Sequence, residues 1–260
     1  LSQLASMPRL NYETHGRPEN PGVLLLHGFM SSNAQWLTNI DALTARYFLV
    51  TVELWGHGDS PTPADPDCYT LATYYEQFES IRSELGISRW AVIGQSYGAG
   101  IMLNYAKAYP EVCIAAVATN SRSAFGSLIE EDSNRRDRSG LPADLRKLPY
   151  HPIHARRFPD HVKAELVANA DAMEPLAVRL GGRLGAELNC RELVADFPLP
   201  LLITNGKFER SFQTDLQSLQ EAVPDLNVVD LEGGHSVNIE ASEGFNAAVL
   251  SFLSEDQSPL

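Results

Sequence analysis

The residue best suited to covalent chemistry is Ser96, at the centre of Gly94-Gln95-Ser96-Tyr97-Gly98. An apolar run at 90–93 precedes this pentapeptide, and apolar residues at helical spacing follow it. A G-x-S-x-G pattern on a strand-to-helix turn exposes the serine hydroxyl above a sheet, in a strained backbone conformation. The pattern therefore predicts a serine nucleophile, although a glycine-rich turn with a helix-capping serine has the same letters.

A serine hydroxyl needs a base, and the base needs an acid that orients it. His235 follows the last strand-like apolar run, and Glu209 follows the run before that one. The chain order Ser96, Glu209, His235 is the order that G-x-S-x-G enzymes use. The sequence predicts His235 as the base and Glu209 as the acid. Three aspartates compete with Glu209 for this role: Asp196, Asp215 and Asp230. Asp215 lies in a predicted helix, and Asp230 lies in a predicted strand.

Two main-chain N–H groups are candidates to bind the oxyanion that forms when a serine attacks a carbonyl. The first belongs to Phe29, because Gly28 allows the chain to turn after the apolar run at 23–26. The second belongs to Tyr97, directly after Ser96. One such donor stabilises a transition state by roughly 3–4 kcal/mol.

The elements that must position these residues alternate between strands and helices. Strands are predicted at 9–14, 23–26, 48–52, 90–94, 114–119, 200–204 and 226–231. Helices are predicted from 32 or 33 to 44, from 71 to 85, after Ser96, from 212 to 223, and near the C-terminus. Such alternation predicts an α/β fold with a mostly parallel central sheet flanked by helices. Between about 120 and 196 the pattern becomes helical and is interrupted by prolines.

Composition narrows the class of function. The 260 residues carry a net charge of −13, which disfavours nonspecific binding to nucleic acid or to an anionic membrane. No apolar run approaches the ~20 residues of a membrane span, and no signal peptide is visible at residues 1–6. Three widely spaced cysteines, Cys68, Cys113 and Cys190, favour a reducing compartment and hence a cytoplasmic location. No cofactor and no metal site are predicted.

Together these motifs resemble those of the α/β-hydrolase fold superfamily over essentially the whole chain. The matching segments are His27-Gly28-Phe29, Gly56-His57-Gly58-Asp59-Ser60, Gly94-Gln95-Ser96-Tyr97-Gly98, Asn205-Gly206-Lys207-Phe208-Glu209 and Gly233-Gly234-His235. The resemblance implies a Ser–His–acid triad, a core formed by residues 1–121 and 192–260, and a helical cap (lid) formed by residues 122–191. Members usually have Asp at the acid position, where this chain has Glu209. The serine nucleophile argues against the dehalogenase and epoxide hydrolase branches, which use aspartate.

The expected function is that of a serine esterase or lactonase, which cleaves a small-molecule carboxylic ester or lactone through an acyl-enzyme. The alternatives are a C–C bond hydrolase or lyase that uses the same triad, and a ligand-binding protein without activity. The menaquinone-pathway lyase branch is similar around His27, but it carries Arg four residues after the nucleophile, where this chain has Gly100. The cap holds twelve of the 20 Lys and Arg residues and ten of the 33 Asp and Glu residues. Arg122 is its best candidate to bind an anionic substrate group. The oligomeric state stays open.

Overall fold

The computed structural model describes residues 8–127 and 140–255. The segment 128–139 of the predicted cap and the N-terminal residues considered for a signal peptide lie outside them. One sheet has the strand order β1-β3-β2-β4-β5-β6-β7, with β1 antiparallel to β3 and all other pairs parallel. The mostly parallel α/β sheet predicted from the sequence is therefore confirmed. The strands are β1 (Tyr12–His15), β2 (Gly22–Leu26), β3 (Phe48–Val52), β4 (Trp90–Gly94), β5 (Cys113–Thr119), β6 (Leu201–Gly206) and β7 (Asn227–Leu231).

Helices cover both faces of this sheet. Within the described residues they are α1 (Ile40–Thr44), α2 (Leu71–Glu84), α3 (Tyr97–Ala108), α4 (Arg122–Phe125), α5 (Asp160–Ala172), α6 (Pro175–Leu184), α7 (Arg210–Ala222), α8 (Val237–Glu240) and α9 (Ser242–Glu255). Short 3₁₀ helices lie at Asn33–Trp36, Pro66–Cys68, Leu145–Lys147, Pro152–His154 and Arg191–Leu193. Between β5 and β6 the described residues form helices and turns and no strand.

The central strands show why their sequences are continuously apolar. Along β2, Leu24 and Leu26 pack into the core on one face, while Val23 and Leu25 pack into the core on the other. Side chains of a strand alternate between faces, so a strand covered on both sides needs apolar residues at every position. Complete burial of one such leucine contributes about 1.5–3 kcal/mol. The core therefore fixes the register of the strands whose carboxyl ends carry the site.

The prediction of one helix from 32 or 33 to 44 is wrong. The structure has a 3₁₀ helix at Asn33–Trp36 and then the short α1. The segment between them is held by polar side chains, since Asn39 Nδ2 donates to the main-chain oxygen of Asn238 and to Oδ1 of Asn246, at 2.9 and 2.8 Å. These bonds anchor the segment to the C-terminal helices.

Candidate active site

Ser96 lies on the sharp turn between β4 and α3 with φ 52° and ψ −113°. Only one other non-glycine residue in the described chain, Met30, has a positive φ. The turn is possible because both flanking positions are glycines: a Cβ on Gly94 would lie 2.5 Å from Cα of Ala99, and one on Gly98 would lie 2.4 Å from the main-chain oxygen of His27. The strained strand-to-helix turn predicted from the sequence is therefore present.

The end of β5 holds this turn in place. The Ser96 N–H donates to Oγ1 of Thr119 at 3.1 Å, and the hydroxyl of Ser121 donates to the Ser96 main-chain oxygen at 2.7 Å. Sequence reasoning missed these residues. The signal that could have found them is the run Thr119-Asn120-Ser121, three polar residues that span the end of a buried strand.

The side chains of Ser96, His235 and Glu209 form one hydrogen-bonded row. The Ser96 hydroxyl lies 2.8 Å from Nε2 of His235, and Nδ1 of His235 lies 3.0 Å from each carboxylate oxygen of Glu209. With the Nδ1 proton donated to Glu209, Nε2 is free to accept the serine proton. This geometry is the one that activates a serine hydroxyl by a base.

The burial and charges around His235 and Glu209 shift the pKa of each. Partial removal from water alone lowers the pKa of His235, whose side chain is 46% exposed, but the hydrogen bond and the charge of Glu209, together with the charge of Glu240, outweigh this and raise it. Burial raises the pKa of Glu209, yet its hydrogen bond to His235 and the nearby positive groups leave that pKa below its ordinary value. The pair is therefore held with a charged carboxylate that favours a protonated imidazole.

Glu209 has a second partner that the sequence did not reveal. Asn120, fully buried, donates from Nδ2 to Oε2 of Glu209 at 2.8 Å and accepts the Gly206 N–H at 2.7 Å. Asn120 thus ties the loop of the acid to the end of β5. Two of the three competing aspartates bond elsewhere: Asp230 accepts from Asn205 at 2.8 Å, and Asp215 faces Arg122.

The main-chain N–H groups of Phe29 and Tyr97 donate to no acceptor within the described part of the chain. The direction of the first is set by its own peptide unit. The Gly28 carbonyl accepts from Nδ1 of His27 at 2.7 Å and from the Ser31 N–H at 3.2 Å. Because a trans peptide is planar, holding this carbonyl turns the Phe29 N–H to the opposite side. Both N–H groups are available to an anion.

Two buried histidines join the loop after β2 to the loop after β3. Nε2 of His27 accepts the Leu54 N–H at 3.1 Å, and Nε2 of His57 accepts the Met30 N–H at 3.0 Å. Their ring centroids are 5.2 Å apart. Burial lowers the pKa of His27 to about 4, and burial with the neighbouring His27 lowers that of His57 to about 3. Both rings therefore stay neutral and keep the acceptor that each loop needs.

The segment Gly56-His57-Gly58-Asp59-Ser60 serves this same scaffold through Glu53. Glu53 is 5% exposed, and its carboxylate accepts the N–H groups of Asn33 and Asp59 at 3.1 and 2.8 Å and the Asn11 amide at 2.9 Å. A buried carboxylate without a cation is stable only when several donors satisfy it. The motif that carries part of the family resemblance thus shapes loops beside the site.

The predicted cap packs on the loop that carries Phe29. Met30 shares an apolar cluster with Ala177 and Val178 of α6, and the Tyr97 hydroxyl donates to the Gly181 main-chain oxygen at 2.7 Å. On the open side, the ring of the half-exposed Tyr150 lies 5.6 Å from the Phe29 ring. Residues of the cap therefore border the position where a substrate would meet Ser96.

Arg122, predicted to bind an anionic substrate group, begins α4. Its Nε lies 3.3 Å from Oδ2 of Asp215 on α7, and its side chain is 54% exposed. The guanidinium therefore already has a carboxylate partner, and its role in substrate binding stays a prediction.

The described residues also bear on metal sites, membrane-spanning helices and disulfide bonds. Within 8–127 and 140–255, no group of three or more His, Cys, Asp or Glu side chains is arranged to hold a metal ion. No helix in those ranges is both long and apolar enough to cross a membrane. All three cysteines are buried and free of disulfide bonds.

Comparison with known proteins agrees with the fold described above. Residues 21–242 match the family model described as alpha/beta hydrolase fold. A protein of Klebsiella variicola named "Putative carbamate hydrolase RutD" is 28% identical over 264 residues, which cover 95% of this chain and 96% of that protein. The enol-lactonase from Burkholderia xenovorans LB400 shares the fold at a TM-score of 0.77 and 19% identity, covering 94% of this chain and 96% of its own. MenH from S. aureus shares the fold at a TM-score of 0.77 and 19% identity, and the match covers 97% of this chain and 100% of MenH. The chain belongs to the alpha/beta hydrolase fold family.

Proposed function

We propose that this protein is a serine hydrolase that cleaves a carboxylic ester or a lactone through an acyl-enzyme. The observation that carries the proposal is the continuous row of hydrogen bonds from Ser96 through His235 to Glu209. A strained serine turn, a base held in one tautomer and two unpaired N–H groups are what acyl transfer requires of a protein.

The reaction would proceed in two halves. Oγ of Ser96 attacks the carbonyl carbon while Nε2 of His235 takes the hydroxyl proton. The N–H groups of Phe29 and Tyr97 hold the oxyanion, and Glu209 stabilises the imidazolium. As the intermediate collapses, His235 gives its proton to the leaving alkoxide. Water then attacks the acyl-enzyme with the same base, which releases the acid and restores the serine.

We further propose that the cap, residues 122–191, sets the substrate range. This is supported by the contacts of α6 with the Phe29 loop and by the position of Tyr150 over the Phe29 ring. Substitutions of cap residues beside the site should change selectivity between esters more than they change reactivity toward a small activated ester. No cofactor is required by this route.

The lyase alternative has less support from the packing around α3. The Arg that the lyase branch carries four residues after the nucleophile corresponds to Gly100, where a Cβ would lie 2.7 Å from Cβ of Leu188 in the cap. An arginine does not fit there without moving the cap. A carbamate is a closer alternative, since its carbonyl is attacked in the same way and a relative of nearly equal length is named for that substrate.

A fluorophosphonate probe and a substrate screen test the proposal together. The probe should label the protein at Ser96, and the Ser96→Ala variant should not react. The screen compares p-nitrophenyl esters, lactones and carbamates of graded chain length. Failure to label at Ser96 would refute the serine nucleophile. A protein that does not label at Ser96 and turns over none of these substrates would fit the ligand-binding alternative.

A further inference from the structure

An arginine of the cap is joined to the loop of His235 by one carboxylate. Nη1 of Arg157 lies 3.3 Å from Oε2 of Glu240, the last residue of α8. The same oxygen accepts the N–H of Gly234, the residue before His235, at 2.9 Å. The carboxylate of Glu240 therefore contacts both the cap and the loop that carries the proposed base.

Arg157 is also held by the loop of the proposed acid. Its guanidinium carbon lies 4.9 Å from the centroid of the Phe208 ring, and Phe208 directly precedes Glu209. A cation over an aromatic face is attracted by the ring at about this distance. One cap side chain thus contacts the loop of Glu209 directly and is linked to the loop of His235 through the carboxylate of Glu240.

The two partners differ in burial. The Glu240 side chain is 10% exposed, whereas that of Arg157 is 57% exposed. A carboxylate with little access to water acts strongly on neighbouring groups, while an exposed guanidinium is screened and easily lost to solvent. The carboxylate of Glu240 is therefore held within the site, whereas the exposed guanidinium of Arg157 affects it only while the two side chains stay in contact.

We propose that Glu240 is a positioning residue that acts on His235 as a second carboxylate beside Glu209, and that Arg157 tunes this effect from the cap. The proposal deepens the proposed function and rests on it, since it assumes that His235 is the base. When Arg157 lies on Glu240, the imidazolium of His235 receives less support from that carboxylate. When the cap withdraws Arg157, His235 becomes a stronger base.

Other charged groups near His235 are accounted for by their own partners. Glu209 contacts the ring directly, and the charge of Arg122 acts on Glu209. Lys207 pairs with Glu232. Within the described chain, Arg157 is the cation that reaches His235 through Glu240.

The sign of each effect follows from charge. A negative group favours the protonated ring, and the charge of Glu240 contributes to the raised pKa of His235, after the effects of burial and of Glu209. Replacing Glu240 with Gln should lower the pKa of His235, because a negative charge is removed. Replacing Arg157 with Gln leaves Glu240 without its counter-ion and should raise that pKa at low salt.

An NMR titration of the His235 imidazole measures both shifts without any substrate. The His235 signal is assigned by its loss in a His235→Asn variant. In the Glu240→Gln background, Arg157→Gln should have a smaller effect, because the guanidinium has lost the carboxylate that holds it beside the His235 loop. Arg156→Gln is the matched control: Arg156 is the exposed neighbour, the charge change is the same, and the His235 pKa should stay at the wild-type value. At 1 M salt the effect of Arg157→Gln should vanish.

A pKa of His235 that does not fall in Glu240→Gln, or that responds equally to Arg156→Gln and Arg157→Gln, overturns the proposal. Gln at 240 retains an oxygen for the Gly234 N–H; if it still fails to fold, Arg157→Gln alone decides, since an unchanged pKa there refutes the role of the cap. The acid limb of kcat/KM for an ester should move with the pKa while KM is unchanged. Shifts in the titration without ester hydrolysis would refute the proposed function and leave the charge coupling in place.

Discussion

Replacing Glu209 with Gln removes one charge from the proposed acid with little change of shape. Both carboxylate oxygens lie 3.0 Å from Nδ1 of His235, and Asn120 donates to Oε2 at 2.8 Å. A glutamine that keeps the Asn120 bond must place its carbonyl oxygen at the Oε2 position, still within reach of the Nδ1 proton. The tautomer of His235 is therefore retained, and the loss is confined to the charge that stabilises the imidazolium.

Because the tautomer is retained, the expected loss of activity is smaller than in a triad whose histidine changes tautomer. In a serine protease the corresponding Asp-to-Asn change costs about 10⁴ in kcat, because the wrong tautomer is selected. For Glu209→Gln we expect a smaller loss of about 10²-fold, equivalent to roughly 2.7 kcal/mol of activation free energy. The loss should fall on kcat rather than on KM, since Glu209 contacts His235 and acts in the transition state.

The assay is the pH dependence of kcat/KM between pH 5 and 9, on an ester found in the screen. The unprotonated ring is the active base, so activity falls as pH drops through the pKa of His235. Glu209 helps to raise that pKa, so Glu209→Gln should move the acid limb to lower pH. Asp230→Asn, which alters a carboxylate bonded to the nearby Asn205, should behave as the wild type. The assignment fails if Glu209→Gln keeps more than a tenth of kcat/KM, or if Asp230→Asn or Asp215→Asn loses as much.

Further predictions concern the turn, the cap and the histidine pair. Ser96→Ala should abolish ester hydrolysis with an unchanged circular dichroism spectrum; turnover within about tenfold of the wild type, about 1.4 kcal/mol, would contradict the nucleophile. Ser96→Gly should also raise the free energy of unfolding in urea by about 1 kcal/mol, because glycine adopts the φ of 52° without strain. Arg122→Ala should raise KM for carboxylate-bearing esters only, and an equal rise for neutral esters would exclude recognition. His27 and His57 have folded pKa values of about 4 and 3, below the ordinary 6.5, so each destabilises the fold as pH falls below 6.5. Between pH 7.5 and 5, unfolding in urea should show a loss of roughly 2 kcal/mol per histidine that is absent from His27→Gln and His57→Gln variants, and the same pH dependence in wild type and variants would refute the neutral state.

The central strands and the row of Ser96, His235 and Glu209 could be predicted from the sequence for a common reason. Strands buried on both faces have continuous apolar runs, and in a parallel sheet the carboxyl ends of such runs meet at one edge. Polar residues that directly follow such apolar runs therefore lie near one another at that edge. This reasoning needs only the order of the elements and no knowledge of which strands are neighbours.

The parts that could not be predicted depend on neighbours far apart in the chain. Asn120 reaches Glu209 only because β5 pairs with β6. His57 looks like a turn residue until the loop after β3 meets the Phe29 loop, where its ring accepts the Met30 N–H. The segment predicted as one helix to Thr44 contains Asn39, whose side chain bonds to residues of helices near the C-terminus. Local periodicity contains no information on such contacts.

The position of β7 at the edge of the sheet has a consequence for how the protein loses activity. None of its five residues is buried, whereas all five of β4, which leads to Ser96, are. Edge elements with few buried contacts open at a lower free energy than the core of a domain. The imidazole of His235 depends on this edge, while the serine is held at the centre. Inactivation by mild denaturant should thus precede the loss of the fold, and should be reversed when the denaturant is diluted, with amide protons of β7 exchanging faster than those of β4.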